Sequence, residues 1–213
     1  SRKSRGLGDV YKRQMIDSIK QNLKQINLIE PTKYKKAGVL ILLVKEGDSD
    51  EMNILFTKRS SDLSTHSGEV SFPGGMWEEE DASLLDTSLR ESNEEIGLNI
   101  NNVQNLGRLN YLLSRHKIEV NPYVAFLEHD QDFIGNFEIE EIFMVPVKFL
   151  IESNNVIYKE FKRNDLRISM PSWVYNGMRI WGLTAMIAAD FLNICFEANI
   201  DTNLDLIRGY DQY

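Results

Sequence analysis

The stretch from Phe72 to Leu98 constrains the fold most, because a Gly-rich turn, an acidic loop and a helical pattern follow one another within it. Pro73, Gly74 and Gly75 supply a tight backbone with few side-chain atoms, which suits a sharp entry into the loop. Small and apolar residues then recur at spacings of four, three and four, as on the core-facing side of a helix: Leu85, Leu89, Ser92 and Ile96. Gly97 predicts the end of that helix.

A second side of the predicted helix carries Glu91, Glu94 and Glu95. At about 100° per residue, these three carboxylates fall within an arc of about 100°. Like charges at this spacing repel one another, and hard divalent cations prefer carboxylate oxygens. The cluster therefore suggests a site for magnesium or manganese. An isolated acidic pair is more often a solvated helix face, so the surrounding sequence decides between the two interpretations.

The order of Gly75, acidic loop and Arg90 to Leu98 resembles the Nudix box, the signature of hydrolases that act on nucleoside diphosphates linked to another group. The end of the box, RExxEExGL, is complete. The resemblance implies that the three glutamates bind metal and that Arg90 orients them. Two departures are visible: Asp81 takes the place of the first Glu, with Arg90 one residue late, and Ser92 replaces an apolar residue.

Two upstream segments, Leu55–Ser60 and His66–Gly75, resemble the added motif of the coenzyme A pyrophosphatase branch, which shares the one-residue lengthening of the box. Ser64 stands where that branch usually has Arg. The resemblance extends from about Lys36 to Leu192 and implies an α/β fold, the Nudix-type α/β/α sandwich with a mixed β-sheet. It also implies these substrate contacts: Thr57, Arg59, His66, Gly74 and Gly75.

The first residues are set apart from the predicted domain. Residues 4–14, SRGLGDVYKRQ, match one reading frame of a sequencing-library adapter directly before Met15. We therefore expect residues 1–14 to be a disordered artefact and residues 15–213 to form a single Nudix hydrolase domain. Without the five Lys or Arg and the one Asp of residues 1–14, the 24 basic and 32 acidic residues leave a net charge of −12 in place of −8. No basic surface predicts nucleic acid binding.

Composition narrows the class of protein further. The longest apolar run, Val39–Val44, is far too short to span a membrane, and no apolar signal segment follows Met15. Cys195 is the single cysteine and lies in an apolar stretch, which predicts a buried thiol and excludes a disulfide framework. We expect a cytoplasmic enzyme with a small-molecule substrate and neither membrane nor nucleic acid partners.

The rest of the chain predicts the scaffold. Met15–Ile29 has an apolar stripe that suits either internal packing or the contact of a homodimer, and Trp181–Phe196 predicts an apolar helix. Strand patterns are found at Lys36–Val44, Asn53–Lys58, Glu69–Phe72, Val103–Leu113, Ile118–Leu127, Val156–Phe161 and Ile168–Val174. Phe133–Val147 predicts a loop that leads to a half-buried strand. The first two form a plausible hairpin through the turn at residues 47–50.

The predicted reaction is metal-dependent hydrolysis of coenzyme A or its thioesters to 4′-phosphopantetheine and adenosine 3′,5′-bisphosphate. The general base is open, with Glu138 and Glu94 as candidates. One alternative is a Nudix hydrolase for another substrate, such as ADP-ribose, NADH or a dinucleoside polyphosphate, and the Ser at position 64 favours it. A non-catalytic ligand sensor is disfavoured because every metal-binding Glu is retained.

Overall fold

The computed structural model describes residues 2–45, 51–61, 68–163, 166–202 and 204. The helices are α1 (Arg2–Lys24), α2 (Leu84–Ile96), α3 (Val147–Ile151) and α4 (Gly182–Phe196). The strands are β1 (Lys36–Lys45), β2 (Met52–Arg59), β3 (Val70–Ser71), β4 (Gly74–Met76), β5 (Val103–Arg108), β6 (Leu112–Leu113), β7 (Glu119–Leu127), β8 (Ile139–Pro146), β9 (Ile157–Arg163), β10 (Leu166–Tyr175) and β11 (Met178–Ile180).

Strand β1 is the centre of the larger sheet. It runs parallel to β7 and antiparallel to β2 and β4. Outside this centre, β2 pairs with β3 and β8, and β7 pairs with β5 and β6, all antiparallel. Residues Leu40–Val44 are buried, so their uninterrupted apolar run reflects a strand covered on both faces. Strands β9, β10 and β11 form a separate antiparallel sheet.

Alternate residues of the central strands contribute to two cores, one on each face of the larger sheet. On one face, Ile41 and Phe126 belong to a core shared with α1 and α4. On the other face, Leu40 and Leu42 pack with Ile96 of α2. Helices therefore cover both faces of a mixed sheet, which confirms the predicted α/β/α sandwich.

Helix α2 has a capping residue at each end. The side chain of Ser83 accepts a hydrogen bond from the backbone N–H of Asp86 at 3.2 Å, which satisfies a donor of the first turn. At the other end, Gly97 adopts φ 68°, a left-handed conformation that glycine accommodates without strain. The predicted end of the helix at Gly97 is confirmed.

Small residues let α2 lie directly on β1. A Cβ atom at Gly38 would stand 2.3 Å from the carbonyl oxygen of Leu84, so only glycine permits this approach. Ser92 is fully buried, and its hydroxyl donates to the carbonyl of Ser88 at 2.6 Å. This internal hydrogen bond explains how a polar residue occupies a position where the Nudix box usually has an apolar one.

The N-terminal helix differs from its prediction at both ends. The structure extends α1 back to Arg2, through residues predicted to be disordered, and ends it at Lys24 instead of Ile29. Extending a formed helix requires no new nucleation, which accounts for its continuation into a segment without an apolar stripe. The origin of residues 1–14 in an adapter stays a prediction. The apolar face of α1 packs within the chain's own core through Ile16, Ile19 and Leu23.

Most predicted strands are observed, with one subdivided. The pattern at Val103–Leu113 forms two strands, β5 and β6, with Leu109 to Tyr111 between them. The antiparallel pairing of Leu43 with Ile54 confirms that the first two strands are neighbours, while their predicted turn at 47–50 lies outside the described residues. Among the helices of the described residues, none has the length and apolar character needed to span a membrane.

Candidate active site

The Gly-rich turn brings backbone into direct contact with the acidic face of α2. A Cβ atom at Gly75 would stand 2.4 Å from the carboxyl carbon of Glu91, so the absence of a side chain leaves room for that carboxylate. The backbone N–H of Gly74 donates to Oε2 of Glu95 at 3.0 Å. Gly74 adopts φ 149°, and a Cβ atom added to it would stand 2.4 Å from the carbonyl oxygen of Gly38. Substrate contact at Gly74 and Gly75 stays a prediction.

Arg90 connects the acidic loop to the glutamates. Its Nε and Nη2 atoms donate to the two carboxylate oxygens of Asp81 at 2.9 and 3.0 Å. Its Nη1 atom donates to Glu91 at 3.0 Å and to Glu94 at 3.4 Å. A further bond from Nη2 reaches the carbonyl oxygen of Met76 at 3.2 Å. These contacts fit the orienting role that the resemblance implies for Arg90.

Asp81 is a site residue whose partner the sequence did not predict. Its buried carboxylate accepts hydrogen bonds from the Thr87 hydroxyl at 2.8 Å and the Glu78 backbone N–H at 3.1 Å, in addition to the pair from Arg90. Donation by Arg90 is the main reason that the pKa of Asp81 lies well below its ordinary value. The available sequence signal was an acid at the place of the box's first Glu, nine residues before the arginine.

Burial raises the pKa of two glutamates on α2. It raises the pKa of Glu95 to about 7, although a backbone N–H and an arginine nearby act in the opposite direction. Burial also raises the pKa of Glu91. Neighbouring carboxylates contribute to both shifts, since Glu94 acts on Glu91, and Glu138 acts on Glu95. A bound cation would favour the ionised forms of Glu91 and Glu95.

Arg59 brings Glu138 next to this cluster. Its Nη2 atom donates to Oε2 of Glu138 at 3.1 Å, and its Nη1 atom lies 3.5 Å from Oε1 of Glu95. Glu138 directly precedes β8, and its backbone N–H donates to the Asn136 side chain at 2.9 Å. The predicted residues Arg59 and Glu138 are thus close to the acidic helix. Substrate binding by Arg59 and proton transfer by Glu138 stay predictions.

Two further substrate contacts were predicted, at Thr57 and His66. Thr57 is fully buried, and its hydroxyl lies 3.2 Å from the carbonyl oxygen of Ser71, to which it donates. This side chain holds β2 to β3. Substrate contact at Thr57 stays a prediction. His66 and Ser64 lie outside the described residues.

The donor set fits a hard divalent cation. Glu91, Glu94 and Glu95 offer only oxygen atoms, the ligands that magnesium and manganese prefer. Arg90 and Arg59 now contact oxygens of these carboxylates. Within the described ranges, no three acidic, His or Cys side chains already form an ion-binding group. Each carboxylate has two oxygens, so these glutamates could bind an ion while Arg90 keeps one oxygen of Glu91 and one of Glu94.

Residues 34–163 match the NUDIX domain model, which is more than half of the chain. The chain belongs to the NUDIX domain family. A curated relative from Arabidopsis thaliana, Nudix hydrolase 15, mitochondrial, is 37% identical over 172 residues, covering 78% of this chain and 60% of that protein.

Two further relatives carry more specific names. The human mitochondrial coenzyme A diphosphatase NUDT8 is 34% identical over 139 residues, covering 63% of this chain and 59% of that protein. The peroxisomal coenzyme A diphosphatase ndx-8 of Caenorhabditis elegans is 38% identical over 131 residues, covering 59% and 56%. The chain spans about three fifths of the length of these relatives. The resemblance to Nudix hydrolases and to their coenzyme A branch is confirmed.

Proposed function

We propose that this protein is a divalent-metal-dependent hydrolase of the diphosphate bond in coenzyme A or its thioesters. The observation that carries the chemistry is the packing of Glu91 and Glu95 against the Gly74-Gly75 backbone, with Arg90 bound to Glu91. The substrate rests on the branch motif and on the names of the relatives. The products are 4′-phosphopantetheine and adenosine 3′,5′-bisphosphate.

Hydrolysis of a diphosphate joins a water oxygen to one phosphorus and breaks the bond from that phosphorus to the bridging oxygen. When bound, magnesium or manganese would offset the charge on the diphosphate oxygens and so favour attack by water. Glu91, Glu94 and Glu95 would hold the ion. Arg90 keeps Glu91 and Glu94 oriented, and its anchor on Asp81 fixes the guanidinium itself.

A carboxylate must accept the proton that the attacking water loses. Glu138 and Glu94 are the candidates, with side chains 35% and 54% exposed, so water reaches both. One oxygen of Glu138 accepts from Arg59, which leaves the other oxygen for a proton. A positioned general base typically contributes about 10² to 10⁴-fold to the rate.

The test is turnover of a substrate panel with magnesium or manganese: coenzyme A, dephospho-coenzyme A, ADP-ribose, NADH and diadenosine polyphosphates. We expect the highest specificity constant for coenzyme A or a thioester. A preference of about tenfold or more for ADP-ribose, NADH or a dinucleoside polyphosphate would replace the coenzyme A assignment with that of another Nudix hydrolase. Tight binding with no turnover of any compound would instead indicate a ligand sensor.

A further inference from the structure

Trp77 exposes a large aromatic surface at the edge of the candidate active site. Its side chain is 45% exposed, and it follows Met76, which is 38% exposed. Only one residue separates Trp77 from Gly75, whose backbone contacts Glu91. Exposed apolar surface beside a polar site often marks a place where a ligand binds.

Trp77 is held at two points, one on its backbone and one on its indole ring. Its backbone N–H donates to the carbonyl oxygen of Lys36 at 3.0 Å, which continues the pairing of β4 with β1. Its Nε1–H donates to the carbonyl oxygen of Asp81 at 3.2 Å. The ring is therefore ordered before any ligand arrives, so stacking on it requires little further loss of side-chain entropy.

The position of Trp77 relative to the glutamates follows from the strand. Residues two apart along a strand face the same side, so Trp77 lies on the side from which Gly75 meets Glu91, about 7 Å along the chain. The same loop contains Glu78, close enough to Glu91 to raise its pKa, and Asp81, which binds Arg90. Trp77 is thus adjacent to the groups that would face the diphosphate.

We propose that Trp77 is a specificity-determining residue that stacks on the purine base in the nucleotide half of the substrate. This inference rests on the proposed function, because it takes the reacting diphosphate to lie at Glu91 and Glu95. One ribose separates the purine from the diphosphate, a span of the same order as the 7 Å or so between Gly75 and Trp77. The pantetheine half is aliphatic and offers no ring to stack.

The experiment compares Trp77→Ala, Trp77→Phe and Trp181→Ala in steady-state turnover of coenzyme A. Trp181 is a control matched in residue type and exposure: it is 44% exposed, directly precedes α4, and its ring lies 5.7 Å from the guanidinium of Arg179. Loss of base stacking should raise KM roughly 5- to 150-fold in Trp77→Ala, with kcat little changed. Trp77→Phe keeps a ring and should stay near wild type, as should Trp181→Ala.

Two results would overturn the stacking role. One is an unchanged KM in Trp77→Ala. The other is an equal loss of kcat in Trp77→Ala and Trp77→Phe, because both lack the Nε1–H and a shared loss would show that Trp77 only holds the Asp81 loop in place.

A binding experiment separates this inference from the proposed function. Calorimetry with AMP and with 4′-phosphopantetheine needs no turnover. We expect Trp77→Ala to weaken AMP binding and leave 4′-phosphopantetheine binding unchanged, and the reverse pattern would overturn the proposal. If wild type fails to hydrolyse coenzyme A while AMP binding still depends on Trp77, the proposed function fails and the stacking role stands.

Discussion

At the scale of single residues, the orientation of the acidic cluster depends on the pair formed by Arg90 and Asp81. The two groups share two parallel hydrogen bonds, and Asp81 is buried while Arg90 reaches Glu91 and Glu94. A bidentate, charge-assisted pair is stronger and more directional than a single contact. The late position of Arg90 in the box is therefore compatible with a well-anchored guanidinium.

Asp81→Asn should lower both stability and turnover. The amide cannot accept both guanidinium hydrogen bonds, so we expect unfolding to become easier by about 1.5 to 3 kcal/mol and turnover to fall as Glu91 loses its orientation. Glu80→Gln, an exposed carboxylate of the same loop, is the control. Thermal melts and steady-state kinetics measure both effects. Equal melting temperatures for the two variants would contradict the anchoring role.

The same pair has a defined pH dependence. The pKa of Asp81 is lowered below its ordinary value of 3.8, so its contribution to stability is present above that pH and is lost as the pH falls below it. The difference in free energy of unfolding between wild type and Asp81→Asn should therefore stay constant across neutral pH and shrink only in acid. Denaturant unfolding at a series of pH values measures it.

At the scale of elements, the sequence predicted α2, its end at Gly97 and its acidic face because these depend on local spacing. Contacts between residues far apart in the chain could not be predicted from local spacing. Arg59 and Glu138 are 79 residues apart, and only the pairing of β2 with β8 brings them together. The burial of Thr57 was likewise decided by the neighbouring strand β3. A motif indicates which residues matter, whereas the sheet determines which of them face the site.

Alanine substitutions at two glycines that contact α2 should affect turnover and packing separately. Alanine at Gly75 meets the flexible end of Glu91, which can move away, so turnover should fall while the melting temperature stays near wild type. Alanine at Gly38 meets the backbone oxygen of Leu84, which cannot yield without displacing the helix. We expect Gly38→Ala to destabilise the fold by about 1 to 3 kcal/mol. Melts and kinetics on both variants test this, and a stable Gly38→Ala protein would contradict the close approach.

At the scale of the whole molecule, the core that α1 shares with the sheet and α4 shows which residues of this helix contribute to packing. Its buried residues Ile16, Ile19 and Leu23 all follow Met15, whereas Val10 and Tyr11 are exposed. Lys12 makes a cation–π contact with Phe126, 4.6 Å from its ring centre, which is a small contribution by comparison. The sequence predicted the apolar stripe that follows Met15, but it did not predict the extension of the helix back to Arg2.

Deleting residues 1–14 should therefore leave melting temperature and turnover close to those of the full chain. The retained segment keeps every buried side chain of the described part of α1. Parallel melts and kinetics on the two proteins give the answer. A clear loss of either property would show that the segment belongs to the folded protein.

Cys195 makes whole-molecule stability fall in alkali. Burial raises the pKa of this thiol from 9.0 to about 12. As the pH rises from about 9 towards 12, the thiol ionises in the unfolded state first, which lowers stability by up to about 1.4 kcal/mol per pH unit. Cys195→Ala should have a shallower decline between about pH 9 and 11 in denaturant unfolding. Parallel pH profiles for the two proteins would contradict the burial of a neutral thiol.

We expect the carboxylates of α2 to hold the metal for diphosphate hydrolysis. The decisive measurement is coenzyme A turnover against magnesium concentration in wild type, Glu94→Gln, Glu95→Gln and the control Glu128→Gln, at an exposed residue. Residues that merely support metal ligands contribute about 10- to 100-fold, so we expect a loss of at least about 100-fold in the first two variants at saturating magnesium, with the control unchanged. Wild-type rates in both Glu94→Gln and Glu95→Gln would place the metal site elsewhere.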